Sequence, residues 1–311
     1  MLPKVNIIIL NWNTLDATME CLNSLKSIDY DNYRIIVVDN GSKENVESLK
    51  TKYPDTLLIE NKENMGFAGG NNKGIQLSLN EKVDYILLLN SDTIVDKYFL
   101  KELVDSAEEH KNSAVFNPKI YFYDKQKTIW FAGSAGSLWT GRFGHIGKGE
   151  DDRGQFDKEC EMVYATGCAF FMRTSVVKEI GMLDDRFFAY SEDLDWSLRA
   201  IEKGYTCYYV PKSKVWHKEA IALIRNMQEQ KNKGRTTPLQ IYLYFRNKLF
   251  IMRKHCSFIQ IFTFFITLFC LELFPRIIGF IILNRREKLL KLFKAIGDGL
   301  TIKLQGNESN A

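Results

Sequence analysis

Three short stretches carry carboxylates where chemistry is expected. "YRIIVVDNGS" ends its apolar run at Asp39, "YILLLNSDT" sets Asp92 just past Leu89, and "AYSEDLDWSLR" holds Glu192 and Asp193. A carboxylate can hold a divalent cation or take a proton from a hydroxyl. Glu192, Asp193 and Asp195 follow the aromatic residues Phe187, Phe188 and Tyr190 and precede an apolar helical face at Leu194, Leu198 and Ile201. Helix capping accounts for one such carboxylate, not three, so one of them is a candidate general base aimed at an apolar wall. His217 closes "YYVPKSKVWH" and is a candidate partner of Asp92 in holding a divalent cation.

These residues need elements to position them. The runs "KVNIIIL", "YRIIVV", "TLLIEN" and Tyr85–Leu89 read as buried strands, because unbroken apolar runs suit strands covered on both faces. Between them, Thr14–Ile28, Asn45–Lys52 and Asn71–Leu79 read as helices, the first with Leu15, Met19, Leu22 and Leu25 at helical spacing. Thr14 or Asp16 stands at its start, and Asn71 or Asn72 would cap the third helix. Strand–helix alternation predicts an α/β fold with a mostly parallel sheet. Parallel strands end along one edge, which would collect Asn11, Asn13, Asp39, Asn64 and Asp92. In "NKENMGFAGGNNKG", Gly66, Gly69 and Gly70 allow backbone to approach a ligand, or simply make a turn. Neither GxGxxG nor a P-loop is present, so dinucleotide and ATP binding are not signalled.

Composition narrows the class. With 311 residues, 45% of them hydrophobic, the chain can bury one large core or two. From Leu223 onward 15 Lys/Arg face 5 Asp/Glu, or +10, whereas the rest carries 27 against 33, or −6. An acidic body with a basic tail predicts an anionic surface as the tail's partner, and nothing points to nucleic acid. The six cysteines show no CxxC pair, which fits reduced thiols in the cytosol. No signal peptide is expected from the short run Ile7–Leu10.

The set "VNIIILNWN", "VVDNGS", "NMGFAGGNN", "LLLNSDT", "GCAFFMR", "FFAYSEDLDWSLR" and "VWH" resembles the bacterial family 2 glycosyltransferases of GT-A fold, nearest the rhamnosyltransferase-like branch. The resemblance covers roughly residues 4 to 220. It implies an inverting transferase that moves a sugar from a nucleotide-diphosphate donor, UDP- or dTDP-linked, to a saccharide hydroxyl in cell-surface polysaccharide synthesis. It further implies that Asp39, Asn11 and Asn13 line the nucleoside pocket, with Asn64 and Gly66 closing over it. Asp92 would bind the metal, Mg²⁺ or Mn²⁺, with His217 completing the site. Asp193 would be the catalytic base, Glu192 its rival, and Gly167 to Ala169 would lie beside donor and acceptor. Asn90 departs from the family's DxD motif, where an aspartate is usual, although many members of this branch share the change. One carboxylate plus substrate phosphates can still hold Mg²⁺. Trp130 and Arg246 are acceptor-side candidates, Arg246 alternatively facing solvent.

A division into a transferase domain, 1–222, and a helical extension, 223–311, follows. Phe258–Leu271 is about 14 residues, or roughly 21 Å as helix, against a ~30 Å hydrocarbon core. Glu272, Pro275 and Arg276 then interrupt it, which predicts an interfacial helical hairpin rather than a span. Arg285–Ile296 reads as a basic amphipathic helix suited to anionic headgroups. Alternatively the tail helices pack on the enzyme or make a homo-oligomer interface. The expected setting is the cytoplasmic face of the cell membrane, with a lipid-linked acceptor. Two other classes remain open from sequence: a nucleotidyltransferase, disfavoured for want of a basic Gly-rich loop after the first strand, and a non-catalytic sugar- or lipid-binding protein.

Overall fold

The computed structural model describes residues 2–218 and 236–304. Strands β1 (Val5–Asn11), β2 (Tyr33–Asp39), β3 (Leu57–Glu60) and β4 (Tyr85–Asn90) alternate with helices α1 (Leu15–Leu25), α2 (Glu47–Lys52) and α3 (Gly66–Leu79). They pair in parallel in the order β3-β2-β1-β4. Val5, Ile7, Ile8 and Ile9 are all fully buried, as are Ile86 and Leu87. Consecutive buried residues mean that both sheet faces are covered, as the unbroken apolar runs predict.

After β4 come β5 (Thr93–Val95), α4 (Phe99–Glu109), β6 (Ser113–Phe122) and β7 (Ile129–Phe131). The hairpin β8 (Ser134–Ser137) and β9 (Arg142–His145) leads to β10 (Cys160–Met162) and β11 (Ala169–Arg173). Then α5 (Thr174–Ile180), α6 (Glu192–Glu202) and β12 (Thr206–His217) follow. The sheet continues from β4 through antiparallel β11 to β6, β12 and β10, while short β5 pairs with the end of β12. Pro211 cannot donate a ladder hydrogen bond, and the β12–β6 register slips between Val210 and Lys214, where it sits.

One helix boundary corrects the sequence reading. α3 begins at Gly66, so Asn71 and Asn72 lie inside it and cap nothing. Asn71 donates to the Phe67 carbonyl at 2.9 Å, and Asn72 exchanges hydrogen bonds with the Leu183 backbone at 2.8 and 3.1 Å. The helix start is satisfied instead by Asn64 Oδ1, which accepts Gly66 N–H at 2.8 Å. Here glycine serves packing: a Cβ at Gly70 would sit 2.5 Å from Leu10 Cδ1, so α3 lies close on β1. Thr14 starts α1 without a side-chain cap; the Leu15 N–H goes to Glu44 Oε2 at 2.8 Å.

The chain forms two compact units. The first comprises residues 1–135, 144–188 and 192–225, and the second 136–143, 189–191 and 226–311. The expected boundary at 222–223 lies outside the described residues. In the second unit, helix Pro238–His255 opens on a capping box made by Thr237 and Gln240. It packs with Phe264, Leu268, Leu273, Leu292 and Ala295 around Phe245 and Leu249. The expected hairpin is absent: helical structure runs unbroken from Phe258 to Ile282, passing Glu272 and Pro275 through a π-turn at Phe269–Leu273. Pro275 has no N–H for the Leu271 carbonyl, and the wider turn absorbs that mismatch without ending the helix. At 25 residues, or about 37 Å, the helix is long and apolar enough to cross a membrane.

Candidate active site

Parallel pairing of β1 and β2 sets Asn11 opposite Asp39. Asn11 Nδ2 donates to Asp39 Oδ1 at 2.7 Å and to Ser42 Oγ at 3.1 Å. Asn11 Oδ1 accepts from Thr18 at 2.8 Å, which fixes the amide's orientation. Asp39 Oδ2 accepts the Ser42 N–H at 3.1 Å. Asn13 holds a left-handed backbone (φ +54°), donates its N–H to Ser42 Oγ at 2.9 Å and accepts from Lys43 N–H. Asp39 also lines a cleft of about 320 Å³ with Ser42, Glu44, Asn61 and Lys62. Ser42 is therefore the hub of this corner, and sequence reasoning passed over it although "DNGS" quotes it.

Asn40 was missed as well. It is buried, and its side chain reaches Asn64 Oδ1 (3.0 Å), the Gly66 carbonyl (3.0 Å), the Met65 N–H (3.1 Å) and Asn61 (3.1 Å). It ties the Asn64–Gly66 loop to the end of β2. Gly66 has φ +75°, and a Cβ there would stand 2.3 Å from the Phe188 carbonyl oxygen. Only glycine fits this close approach.

The β5–β12 ladder sets His217 opposite Thr93, one residue from Asp92. His217 Nε2 lies 3.1 Å from Asp92 Oδ1. Burial alone would pull the imidazole pKa down, but buried Cys168 and the Asp92 carboxylate beside it hold it well above the usual histidine value. His217 Nδ1 is buried with no hydrogen-bond partner, and so is Trp130 Nε1. The two rings meet edge to face, 4.7 Å between centroids, so Trp130 stands beside His217. Among the described residues no group of three or more His, Cys, Asp or Glu side chains could ligate a metal. A carboxylate and an imidazole in contact nevertheless suit a divalent cation whose other ligands are phosphate and water oxygens. Asn90 closes β4, and its N–H donates to the Cys168 carbonyl at 2.9 Å.

Asp193 occupies the first turn of α6. Its Oδ2 accepts Gly167 N–H and its Oδ1 accepts Leu194 N–H, both at 2.8 Å. Glu192 is buried beside it, with Oε2 unpartnered. Burial, and next the neighbouring Asp193 charge, push the Glu192 carboxyl well above the ordinary glutamate range. Burial raises Asp193 too, but the backbone N–H bonds oppose it. Two donors favour a carboxylate and none favours the neutral acid, so Asp193 takes the charge and Glu192 the proton. Asp195 is structural: it pairs with Arg199 at 3.0 Å inside the protein. Just before α6, Phe188, Tyr190 and Ser191 all hold positive φ, of 64°, 71° and 70°. Such backbone costs about 1–3 kcal/mol per residue and clusters at functional sites; nothing in the residue types signals it.

These groups share one edge of the first unit. Thr14 Oγ1 and Ser91 Oγ, 3.1 Å apart, join the Asn11–Asp39 corner to the segment bearing Asp92. The Asn90–Cys168 bond leads to Gly167 and so to Asp193. Arg246 belongs to the second unit and does not face solvent. It is 8% exposed, lies over the Tyr242 and Phe250 rings, and donates to Asn247 Oδ1 at 2.8 and 2.9 Å.

A family model described as "Glycosyl transferase family 2" matches residues 6–181. The chain is 24% identical over 249 residues to the low-salt glycan biosynthesis hexosyltransferase Agl10 of Haloferax volcanii, covering 80% of this chain and 75% of that protein. It is 24% identical to a poly-beta-1,6-N-acetyl-D-glucosamine synthase of Staphylococcus aureus, covering 69% of this chain but only 50% of the synthase. Among solved structures, S. aureus TarS superposes with a TM-score of 0.60 at 17% identity, over 95% of this chain and 48% of TarS. GalNAc-T7 with UDP, GalNAc and Mn²⁺ superposes at 0.58 and 16% identity, over 70% of this chain and 43% of that one. These likenesses show the fold.

Proposed function

The chain belongs to glycosyl transferase family 2, and from that premise we propose that it is an inverting transferase for a nucleotide-diphosphate sugar. The observation that carries this reading is the continuous polar edge joining Asp39, Asp92 and Asp193 through Asn11, Thr14, Ser91, Asn90 and Gly167. It offers a nucleoside corner, a cation position and a base in sequence along one rim. Asn11, Asn13 and Asp39 bind the nucleoside, with Asn64 and Gly66 as the loop over it. Asp92 and His217 would hold Mg²⁺ or Mn²⁺, which when bound neutralises charge growing on the departing diphosphate. Solved relatives of the fold carry UDP and Mn²⁺, which is consistent with this reading.

Asp193 removes the proton of an acceptor hydroxyl as its oxygen attacks the anomeric carbon from the face opposite the diphosphate. The carbon–oxygen bond to the diphosphate breaks in the same displacement, so configuration inverts and nucleoside diphosphate leaves. Backbone N–H groups of Gly167 and Leu194 aim the Asp193 carboxylate, and Glu192, buried and protonated, adds no competing negative charge beside it. We read 1–222 as the transferase domain and 223–311 as an extension. Trp130 stands on the acceptor side, while Arg246, in the second unit, braces Asn247, which holds the Ala189 and Tyr190 carbonyls.

The second unit supports a membrane setting. Phe258, Ile259, Phe262, Ile282 and Leu290 are each at least 65% exposed, and the tail carries +10 of charge. Exposed aromatic and aliphatic side chains beside cations match the interface of an anionic bilayer. A lipid-linked saccharide acceptor, donors including rhamnose, and the cytoplasmic leaflet belong to this reading. Incubating the protein with UDP-, dTDP- and GDP-sugars tests it: one sugar raises the melting temperature, and with an acceptor present nucleoside diphosphate is released. Pyrophosphate release would instead make the protein a nucleotidyltransferase.

A further inference from the structure

The second unit contains a cavity of about 600 Å³ lined by Arg142, Phe143, Tyr244, Lys248, Leu271, Glu272, Pro275 and Arg276. Three separate segments build it. The tip of the β8–β9 hairpin supplies Arg142 and is seated against the long apolar helix, where a Cβ at Gly141 would stand 2.4 Å from the Phe264 ring. Helix Pro238–His255 supplies Tyr244 and Lys248. The π-turn and the residues after it supply Leu271, Glu272 and Arg276. A π-turn costs hydrogen-bond geometry and recurs where a helix must turn a side chain toward a function.

The charge in this cavity is unbalanced. Lys248 Nζ pairs with Glu272 Oε1, and Tyr244 OH donates to Glu272 Oε2 at 2.9 Å, so both oxygens of the one carboxylate are engaged. Arg276 lies over the Tyr244 and Phe245 rings at 5.3 and 5.0 Å, which holds its guanidinium at the cavity without neutralising it. Among the described residues no carboxylate pairs with Arg142 or Arg276. Three cations against one anion leave +2 in a pocket walled by rings and a proline. Guanidinium forks match phosphate oxygens in pairs, and a phosphate dianion would balance the charge. Leu271 (59% exposed), Phe274 (51%) and Ile278 (40%) continue from the pocket as an apolar stripe.

We propose that Arg142, Lys248 and Arg276 form a phosphate-binding pocket that takes the phosphate group of a lipid whose hydrocarbon chain lies along the Leu271–Ile278 stripe. Phosphate recognition follows from the pocket alone. That the phosphate is a lipid's rests on the membrane setting proposed above.

The test uses the full chain, floated with vesicles at 0.5 M NaCl, where attraction between charges not in direct contact is largely screened while paired contacts to phosphate oxygens persist. Phosphatidylcholine vesicles are compared with the same vesicles containing polyprenyl phosphate or phosphatidylglycerol at equal charge. Wild type should prefer a vesicle bearing anionic phosphate, uncompensated by choline, by about tenfold or more, consistent with two charge-assisted contacts. Arg142→Gln/Arg276→Gln, both at exposed positions, should bring that preference close to one. Arg286→Gln/Lys303→Gln removes equal charge elsewhere on the tail and should keep it. Preference for polyprenyl phosphate over phosphatidylglycerol identifies an acceptor-type lipid as the source, and equal preference identifies bilayer phospholipid. Binding of inorganic pyrophosphate that depends on the two arginines, without any vesicle binding, keeps the pocket and refutes the membrane setting. Equal loss in the two double variants would overturn the pocket.

Discussion

Asp193 Oδ2 accepts the Gly167 N–H at 2.8 Å, so a peptide group from the segment before β11 orients the carboxylate that opens α6. The same bond favours the ionised form that a general base needs. Glu192, one residue earlier, is buried with Oε2 unpartnered and only its own backbone N–H opposing the effect of burial. Proximity in sequence thus hides opposite environments. Asp193→Asn should lower turnover ~10²–10⁴-fold while leaving the donor's dissociation constant near wild type. Near-wild-type turnover in a single-turnover assay would remove Asp193 from the mechanism.

Glu192 predicts a pH effect on stability. Its carboxyl is raised well above 4.5 in the folded protein by burial and by Asp193. Between the unfolded value, about 4.3, and the raised one, the native state binds the extra proton, so stability falls as pH rises through that window. Glu192→Gln removes the penalty. Denaturant titrations from pH 4 to 8 should show the variant gaining on wild type as pH increases. A gap that does not change with pH would mean that Glu192 is ionised in the native state.

Much of the first half of the fold was legible because both-face burial writes unbroken apolar runs into β1, β2 and β4. The clustering of Asn11, Asp39 and Asp92 followed from strand polarity alone. Asn40 and Ser42 were not legible as hubs, since their importance lies in partners up to 31 residues distant. Nor were the positive φ values at Phe188, Tyr190 and Ser191, which tertiary contacts impose on residues that disfavour them. In the tail, a charge and a proline read as a break, yet a π-turn and the Lys248 pairing carry the helix through both.

Two glycines give opposite predictions. Gly66→Ala must place a Cβ 2.3 Å from the Phe188 carbonyl at φ +75°, so it should cost more than the ~1 kcal/mol of an ordinary positive-φ position. Gly297→Ala sits at an exposed position of a packed helix with nothing within 4 Å and should stabilise by about 0.5–1 kcal/mol. Thermal melts of both variants check the pair, and equal shifts would contradict the geometry.

The cation prediction turns on Asp92 and His217, the two protein groups in contact at 3.1 Å. With so few protein ligands, a cation bound here would be held mainly through the donor's phosphates. Activity should therefore disappear in EDTA and return with Mg²⁺ or Mn²⁺. Asp92→Ala should weaken nucleoside-diphosphate binding at least about tenfold when metal is present and little in chelator, a ratio readable by calorimetry. Because Asp92 and Cys168 hold a proton on His217, a cation must displace it, and apparent metal affinity should rise with pH. Full activity in chelator would identify the Asn90 departure as the mark of a metal-independent enzyme.

The tail gives the last prediction. Ile259, Phe262 and Ile282 are 65%, 68% and 75% exposed, so replacing all three with Glu leaves the packed cluster around Phe245 and Leu249 untouched. Burying such side chains in a bilayer contributes about 1.5–3 kcal/mol each, a term that salt does not screen. Wild type should therefore stay partly bound to anionic vesicles in 1 M NaCl, whereas the triple variant should be released. If the variant instead changes a wild-type dimer or larger assembly into a monomer and leaves vesicle binding unaltered, these side chains face a second copy of the chain. The lipid-linked acceptor would then lose its support from the second unit.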